Sequence, residues 1–408
     1  MEPLIRDVSE TYANGIQAAK GVTLRSSLCP ALYGLLALLT VAFASKSAAG
    51  QAAAQDKTSE IDAIFDWATP TTPGCVVAVS QNGERVVNRA HGSADLERGI
   101  PLTPATIFDA GSLTKQFVAA AVLLLVDDGR IALADNVRNY IPELPDAGYT
   151  ITVDHLLTHT SGIRDWTGLS RLSSGDEDAL TMILRQRGLN FTPGEEWSYS
   201  NSGYVLLKEL VARTTGMPFS EFARRHLFDP LGMEATTYAD ELQEGHEHLA
   251  LAYEKRSDRW EQDMLVGNER GGGGALLSTA SDLLVWNEAL ANARLGTFVT
   301  EKLQEPARLN NGRELGYARG LFLDTNRGGR VMWHTGSAGG YKSLLSRYPE
   351  QGLSIAILCN AGESANRMMF ARRIYDLFVP TTDIADDAAT APGAHADAEG
   401  LDVTSRAG

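Results

Sequence analysis

The chain carries β-strand patterns near both ends of its globular part, with helical patterns between them. The first group pairs Pro73–Ser80 with Arg85–Ala90 through the hairpin dipeptide Asn82-Gly83. The second group is a run of four strand patterns separated by turn-rich segments: Gly316–Leu323, Arg330–His334, Tyr341–Tyr348 and Leu353–Cys359. Because short strands must cover their apolar faces, the most economical arrangement is one antiparallel sheet assembled from both chain ends.

Between the two groups, the apolar residues recur with a helical period. The helical patterns are Lys115–Val126, Val153–His159, Asp178–Arg187, Ser202–Thr215, Ser220–Leu227 and Asp282–Asn292, with Ser364–Phe378 as a closing helix. They predict an α+β fold in which the antiparallel sheet is flanked by helices and joined by a mainly helical inserted lobe. We expect a domain over 55–380, with a sheet lobe at about 60–110 and 295–380 and a helical lobe at about 111–294. A cleft between two lobes is the usual place for a site.

Charge and composition exclude some classes of function. Lys and Arg number 36 and Asp and Glu 51, which gives a net charge of −15, so the chain lacks the basic surface that nucleic-acid binding requires. Residues 381–408 hold six acids and one Arg in an Ala-rich context, and we expect them to form a disordered acidic tail.

The first 54 residues have the features of a secretory signal with an N-terminal extension. The apolar run Ala31–Ala44 is shorter than the roughly 20 residues that a membrane-spanning helix needs. It follows Lys20 and Arg25 and precedes an Ala-rich segment, which is the order found in signal peptides. We therefore expect a secreted or periplasmic bacterial protein, with membrane anchoring as the alternative if this segment is retained.

The three cysteines are too few for a disulfide framework or for a structural zinc site. Cys75 and Cys359 each lie in an apolar, strand-like run. We expect two buried free thiols at these positions rather than a disulfide.

Ser112 and Lys115 form the first candidate catalytic pair. A Ser at the start of a helix and a Lys three residues later lie on one face of that helix, within reach of a hydrogen bond. A hydroxyl becomes a nucleophile when a base takes its proton, and a buried amine can be that base. The eleven mostly apolar residues after Lys115 indicate a buried helix, which favours this function over a simple helix cap.

Two further motifs complete the set. Tyr199 and Asn201, within WSYSNSGY, offer a phenol that can share a proton with an ammonium and an amide that can hold a substrate. His334, Thr335 and Gly336 end a predicted strand, where they supply an imidazole, a hydroxyl and a residue without Cβ that a ligand can approach closely.

In this order and spacing, the three motifs resemble those of the penicillin-recognising serine hydrolases, in particular the class C β-lactamase-like family of DD-peptidases, D-aminopeptidases and esterases. The stretches HLLTHTSGI at 155–163 and GGGGALLSTASDLLVW at 271–286 are also similar to this family. The resemblance covers roughly residues 60–379.

The resemblance implies a role for each residue of the motifs. Ser112 is the acylated nucleophile, Lys115 its base and Tyr199 the relay of the proton to the leaving atom. Asn201 contacts the substrate amide, His334, Thr335 and Gly336 line the opposite wall, and the N–H of Ser337 completes an oxyanion hole with that of Ser112. The family's β-lactamases and DD-peptidases carry Lys where this chain has His334, so we expect weak activity on substrates anchored by a carboxylate.

These features predict a serine hydrolase that acts through an acyl-enzyme on an ester or amide, with neither a metal nor an organic cofactor. D-amino-acid peptides or small esters are the favoured substrates. Three alternatives stay open. The first is a β-lactamase or DD-carboxypeptidase, and the second is a non-catalytic protein of the same fold that binds peptidoglycan fragments. In the third, His334 rather than Lys115 is the base for Ser112.

Overall fold

The computed structural model describes residues 57–170, 177–241, 248–263 and 275–380. The predictions for residues 1–54 and for the tail 381–408 lie outside these ranges. Within the described ranges, no helix combines the length and the apolarity needed to cross a membrane.

The central element is a six-stranded antiparallel sheet built from both ends of the domain. In chain order its strands are β1 (Cys75–Gln81), β2 (Glu84–His91), β10 (Phe322–Asn326), β11 (Gly329–Ala338), β12 (Tyr341–Tyr348) and β13 (Leu353–Cys359). In space the order is β10-β11-β12-β13-β1-β2, so the first strand of the domain pairs with the last one. The predicted α+β class and the sheet assembled from both chain ends are confirmed.

Within the part of the chain that the structure describes, seven short strands lie outside this sheet. They are β3 (Ser93–Asp95), β4 (Ile100–Pro101), β5 (Phe108–Asp109), β6 (Thr237–Tyr238), β7 (Tyr253–Arg256), β8 (Arg259–Gln262) and β9 (Leu276–Ser278). β5, β9 and β6 form a small sheet that leads directly into the first helix of the inserted lobe.

Helices cover both faces of the central sheet and build the inserted lobe. They are α1 (57–64), α2 (Thr114–Asp127), α3 (Val153–Leu157), α4 (Trp166–Ser170), α5 (Ala179–Leu184), α6 (Asn201–Thr215), α7 (Phe219–Ala223), α8 (Asp229–Leu231), α9 (Ala280–Ala291), α10 (Thr297–Gln304) and α11 (Arg367–Phe378). A π-helical turn, Arg224–Phe228, joins α7 to α8.

Strand β1 shows why the sheet is covered on both sides. Val76 and Ala78 join the apolar cluster that contains α2, α6 and α9, whereas Val77 and Val79 join the cluster that contains α11. Successive side chains of a strand point to opposite faces, so a strand buried on both faces reads as a continuous apolar run.

One predicted strand is displaced. The sequence predicted a strand at Gly316–Leu323, but β10 begins at Phe322. The preceding residues connect the sheet to the helical lobe instead: Arg319 is buried, forms an ion pair with Asp154 and donates to the carbonyl of Lys302. These tertiary contacts, rather than strand propensity, determine the conformation of the segment before β10.

The prediction of two free thiols was wrong, because Cys75 and Cys359 form a disulfide. The two residues lie directly opposite each other on β1 and β13, which are neighbours in the sheet although 284 residues separate them in sequence. The burial of both cysteines in apolar strands was predicted correctly. The pairing of the two cysteines was missed because it depends on the order of the strands in the sheet.

Candidate active site

Ser112 lies in a single 3-10 turn, Gly111–Leu113, between the small sheet and α2. Gly111 has φ +53°, and its N–H donates to a carboxylate oxygen of Asp109 at 2.7 Å. This positive φ favours glycine, which lets the chain turn sharply from β5 into the helix. The turn thereby places Ser112 just before the first residue of α2.

Lys115 links Ser112 to the second motif. Its Nζ lies 3.1 Å from Oγ of Ser112 and 2.8 Å from Oδ1 of Asn201. The residue is 3% exposed, as expected for the first turn of a helix that is apolar on nearly every side. An amine at this distance from a hydroxyl can act as its base when the amine is neutral.

The ring of Tyr199 packs against the amine of Lys115. Nζ of Lys115 lies 4.7 Å from the centre of the Tyr199 ring and 5.5 Å from that of Tyr204. The Tyr199 ring also lies 4.4 Å from His159 and 6.1 Å from His334, measured between centroids. The hydroxyl, amine and phenol of the first two motifs therefore meet in one place, and the imidazole of the third lies beside them.

The third motif packs directly on the turn that carries Ser112. An added Cβ at Gly336 would lie 2.1 Å from the carbonyl oxygen of Ala110, so this close approach needs a residue without a side chain. A Cβ at Gly111 would lie 2.7 Å from the backbone nitrogen of Ser337. The backbone N–H groups proposed for the oxyanion hole thus belong to two segments in contact.

Thr335 is buried and Ser337 is exposed on the same strand, β11. Oγ of Ser337 accepts a hydrogen bond of 2.7 Å from Nζ of Lys342, a buried lysine on β12 that also forms an ion pair with Glu363. Sequence reasoning missed Lys342, whose position directly opposite Ser337 follows from the register of the two strands.

His334 is fully buried and belongs to a chain of hydrogen bonds. Its Nε2 lies 3.3 Å from the hydroxyl of Tyr317, and that hydroxyl lies 3.1 Å from Nε2 of His159. The other nitrogen of His159 accepts from the N–H of Ser200 at 3.2 Å. Nδ1 of His334 faces the carbonyl oxygen of Thr335 at 2.6 Å.

These contacts are compatible with two neutral histidines. Because His159 accepts at Nδ1, its neutral form carries the proton on Nε2 and donates it to Tyr317. Because a carbonyl can only accept, neutral His334 carries its proton on Nδ1, and its Nε2 accepts from Tyr317. Burial, together with the nearby Lys115 ammonium, holds the pKa of His159 well below its ordinary value.

His159 has a structural role beside the site. It has φ +59° at the end of the helix α3 region, and its ring is buried between Tyr199 and Tyr204. The predicted helix Val153–His159 therefore ends earlier, at Leu157. His159 therefore packs against the ring of Tyr199 and, through Tyr317, is hydrogen-bonded to His334.

Asp165 is a residue of the site that the sequence analysis did not single out. One carboxylate oxygen accepts from the backbone N–H and from Nδ2 of Asn201, at 2.8 and 3.0 Å. The other accepts from the backbone N–H and the hydroxyl of Thr167. Its position six residues after His159, in a loop, gives no periodic signal that would have identified it. Among the described residues, no cluster of His, Cys, Asp or Glu is arranged to hold a metal ion.

Comparison with known proteins gives a consistent result. Residues 62–377 match a family model described as Beta-lactamase. A penicillin-binding protein of Bacillus subtilis (strain 168) is 31% identical over 312 residues, which cover 70% of this chain and 68% of that protein. A D-aminopeptidase of Gluconobacter oxydans (strain 621H) is 29% identical over 71% of this chain, but the match spans only 56% of the relative.

A solved structure agrees with these matches. The D-amino acid amidase of Ochrobactrum anthropi SV3, complexed with D-phenylalanine, superposes with a TM-score of 0.65 at 25% identity. The alignment covers 79% of this chain and 98% of the amidase.

Proposed function

Because the chain belongs to the beta-lactamase family, we propose that it is a serine hydrolase that forms an acyl-enzyme on Ser112 and acts on amides or esters of D-amino acids. The observation that carries the proposal is the convergence at Lys115, whose Nζ lies 3.1 Å from Oγ of Ser112 and 4.7 Å from the Tyr199 ring centre. A nucleophile within hydrogen-bond reach of a buried base is the arrangement that acyl transfer requires.

In the proposed mechanism, Oγ of Ser112 attacks the substrate carbonyl carbon while its proton passes to Nζ of Lys115. The backbone N–H groups of Ser112 and Ser337 stabilise the negative charge on the carbonyl oxygen. Tyr199 relays the proton to the leaving nitrogen or oxygen as the bond to carbon breaks. Water then adds to the acyl carbon, its proton returns through the same groups, and the ester bond to Ser112 breaks to release the acid.

The identity of residue 334 supports the choice of substrate. The family's β-lactamases and DD-peptidases carry a lysine at this position, which is suited to a substrate carboxylate, whereas the contacts of His334 to Tyr317 and Thr335 are compatible with an uncharged ring. An amide or ester without a carboxylate at this wall fits it better. The similarity to a D-aminopeptidase and to a D-amino acid amidase favours the same class.

A penicillin-binding activity is the second candidate, favoured by the similarity to the Bacillus protein. Both candidates are tested on one sample of the full chain. We expect hydrolysis of p-nitrophenyl esters and D-amino-acid amides, weak turnover of a chromogenic cephalosporin, and labelling of Ser112 by a fluorophosphonate probe. Lasting label from a fluorescent penicillin without amide hydrolysis would favour the second candidate.

The variant Ser112→Ala is the control for every substrate in this panel. It should lose both hydrolysis and the fluorophosphonate adduct while keeping the thermal unfolding midpoint of the parent. Full esterase activity in this variant contradicts the proposal. A folded parent protein that forms no adduct and hydrolyses nothing would indicate a non-catalytic protein that binds peptidoglycan fragments.

We also propose that the protein is exported across the bacterial inner membrane. The disulfide between Cys75 and Cys359 supports this, since disulfides persist mainly in oxidising compartments. Fractionation of cells that express the full chain, with an antibody against the domain, tests it. Retention in the reducing cytoplasm with both thiols free would contradict the proposal.

A further inference from the structure

We propose that Asp165 is a positioning residue for the reaction at Ser112, because its carboxylate fixes the amide of Asn201 in the orientation that Lys115 needs. This inference rests on the proposed function. The connection runs from Asp165 to Asn201 at 3.0 Å, from Asn201 to Lys115 at 2.8 Å, and from Lys115 onward to the nucleophile.

The orientation of the Asn201 amide matters because its two ends have opposite hydrogen-bonding roles. With Oδ1 toward Lys115, the amide accepts one N–H of the amine, and the lone pair of the amine remains available for the Ser112 proton. With the amide reversed, its NH2 group would face Lys115 and compete for that lone pair. A group that favours the first orientation therefore keeps the lone pair of the neutral amine free for the Ser112 proton.

Asp165 selects this orientation because an ionised carboxylate can only accept hydrogen bonds. The same oxygen that receives Nδ2 of Asn201 also receives the backbone N–H of Asn201, the first residue of α6. The other oxygen is held by two bonds of 2.8 Å from Thr167. With four donors around it, the carboxylate has little freedom to rotate.

The loop that carries Asp165 is itself fixed to the start of α6. Oγ of Ser202 donates to the carbonyl of Arg164 at 2.7 Å and accepts from the N–H of Trp166 at 2.9 Å. Oγ of Ser200 donates to the carbonyl of Ile163. The three residues Ser200–Ser202 thereby join the loop and the start of the helix into one hydrogen-bonded unit around Asn201. These bonds restrict the position of the Asp165 carboxylate.

The negative charge of Asp165 also acts on Lys115 through the amide that joins them. Besides Asn201, the groups that face Nζ of Lys115 include Ser112, Tyr199, Tyr204 and His159. Removal of the carboxylate should therefore make the protonated form of Lys115 less favourable. The acidic limb of the pH profile of kcat/KM, which reports the free enzyme's essential base, should move to lower pH.

The test is a double-mutant cycle on hydrolysis of a p-nitrophenyl ester by the full chain. We expect Asp165→Ala to lower kcat on the order of 10²-fold, the effect of a small misplacement of catalytic groups. In the Asn201→Ala background the same substitution should change kcat by less than about twofold, because the amide it positions is gone. An equal loss in both backgrounds would overturn the inference. It would show that Asp165 acts by capping the backbone N–H of residue 201, which it does in both backgrounds, and not by positioning the side chain of Asn201.

Asp165→Asn serves as the second variant, because it keeps the shape of the side chain and removes its charge. It should fold like the parent and shift the acidic limb of the profile to lower pH, and an unshifted profile with parental kcat would contradict the inference.

The matched control for loss of a helix cap is Asp178→Ala. Asp178 caps α5 through two bonds to Thr181, at 2.9 and 2.8 Å, and both bonds are local to the start of that helix. This control should lower the unfolding midpoint while leaving kcat unchanged. Failure of the proposed function is recognised separately, because the parent enzyme would then show no activity that depends on Ser112.

Discussion

The hydroxyl of Tyr317 lies 3.3 Å from Nε2 of His334, on the wall of the site that faces the Ser112 turn. The same hydroxyl lies 3.1 Å from Nε2 of the buried His159. The phenol of Tyr317 thus connects His334 of the third motif to the buried His159. The pair is arranged to hold His334 in one orientation, with its Nδ1 toward the backbone, and this arrangement is compatible with a neutral ring.

We predict that His334→Lys changes the substrate preference of the enzyme. A lysine at this position supplies a cation, and a hydrogen bond to a charged group contributes about 1.5–3 kcal/mol. The ratio of kcat/KM for a D-alanyl peptide with a free carboxylate to that for the same peptide amide should rise by roughly 10-fold or more, since each 1.4 kcal/mol is a factor of ten.

The two peptides are compared on the same preparation, with Tyr317→Phe as the control that removes the partner of His334 without adding a charge. Tyr317→Phe should leave the carboxylate-to-amide ratio low. An unchanged ratio in His334→Lys would show that this wall does not contact the carboxylate region of the substrate.

Lys115→Ala should be more damaging to acylation than His334→Ala. General-base catalysis contributes about 10²–10⁴-fold, and the amine of Lys115 is the group at 3.1 Å from Oγ of Ser112. We expect the rate of fluorophosphonate labelling to fall within that range for Lys115→Ala and by less than about tenfold for His334→Ala. The reverse order would make His334 the base that serves Ser112.

The sequence was sufficient to predict the parts of the site that depend on local geometry. Ser112 and Lys115 meet because they are three residues apart at a helix start. At Gly336 the sequence suggested the close approach of a ligand, and the structure shows the close approach of the Ala110 carbonyl oxygen. That Tyr199 and His334 lie beside Ser112 and Lys115 followed from the resemblance to a family. Neither the spacing nor the periodicity of the chain contains that information, because these contacts join segments from both lobes.

The residues that the sequence analysis missed are those whose roles come from tertiary contacts. Asp165 lies in a loop and acts on Asn201 from 36 residues away, and Tyr317 lies in a segment that was predicted as a strand. The pairing of Cys75 with Cys359 was missed for the same reason. It requires that the first and last strands of the sheet be neighbours, whereas alternation within each strand shows only that both are buried.

The disulfide should contribute strongly to stability. A cross-link between residues 284 positions apart restricts a long loop in the unfolded chain, and removal of a native disulfide typically costs about 2–5 kcal/mol. We expect the double variant Cys75→Ala/Cys359→Ala to unfold at a lower urea concentration than the parent. Dithiothreitol should lower the midpoint of the parent but leave that of the variant unchanged. Labelling of both cysteines by iodoacetamide in unreduced, denatured parent protein would contradict the disulfide.

The buried histidine behind the site should make the stability of the fold depend on pH. The pKa of His159 is lowered by burial and by the Lys115 ammonium, so below pH 6.5 the unfolded chain binds a proton that the folded chain does not. The contribution of His159 is therefore fully present above its ordinary pKa and is lost as the pH falls from about 6.5 toward the folded-state pKa, with a slope of at most about 1.4 kcal/mol per pH unit.

His159→Asn provides the measurement, because asparagine tolerates the positive φ at this position better than most residues. Urea unfolding between pH 5 and 8 should give a smaller pH slope in the variant than in the parent, together with an offset from the lost packing. His91 and His155, whose pKa values are also lowered by burial, should maintain part of the slope in both proteins. Identical slopes in the two proteins would mean that protonation of His159 does not lower the free energy of unfolding. That result would contradict the prediction.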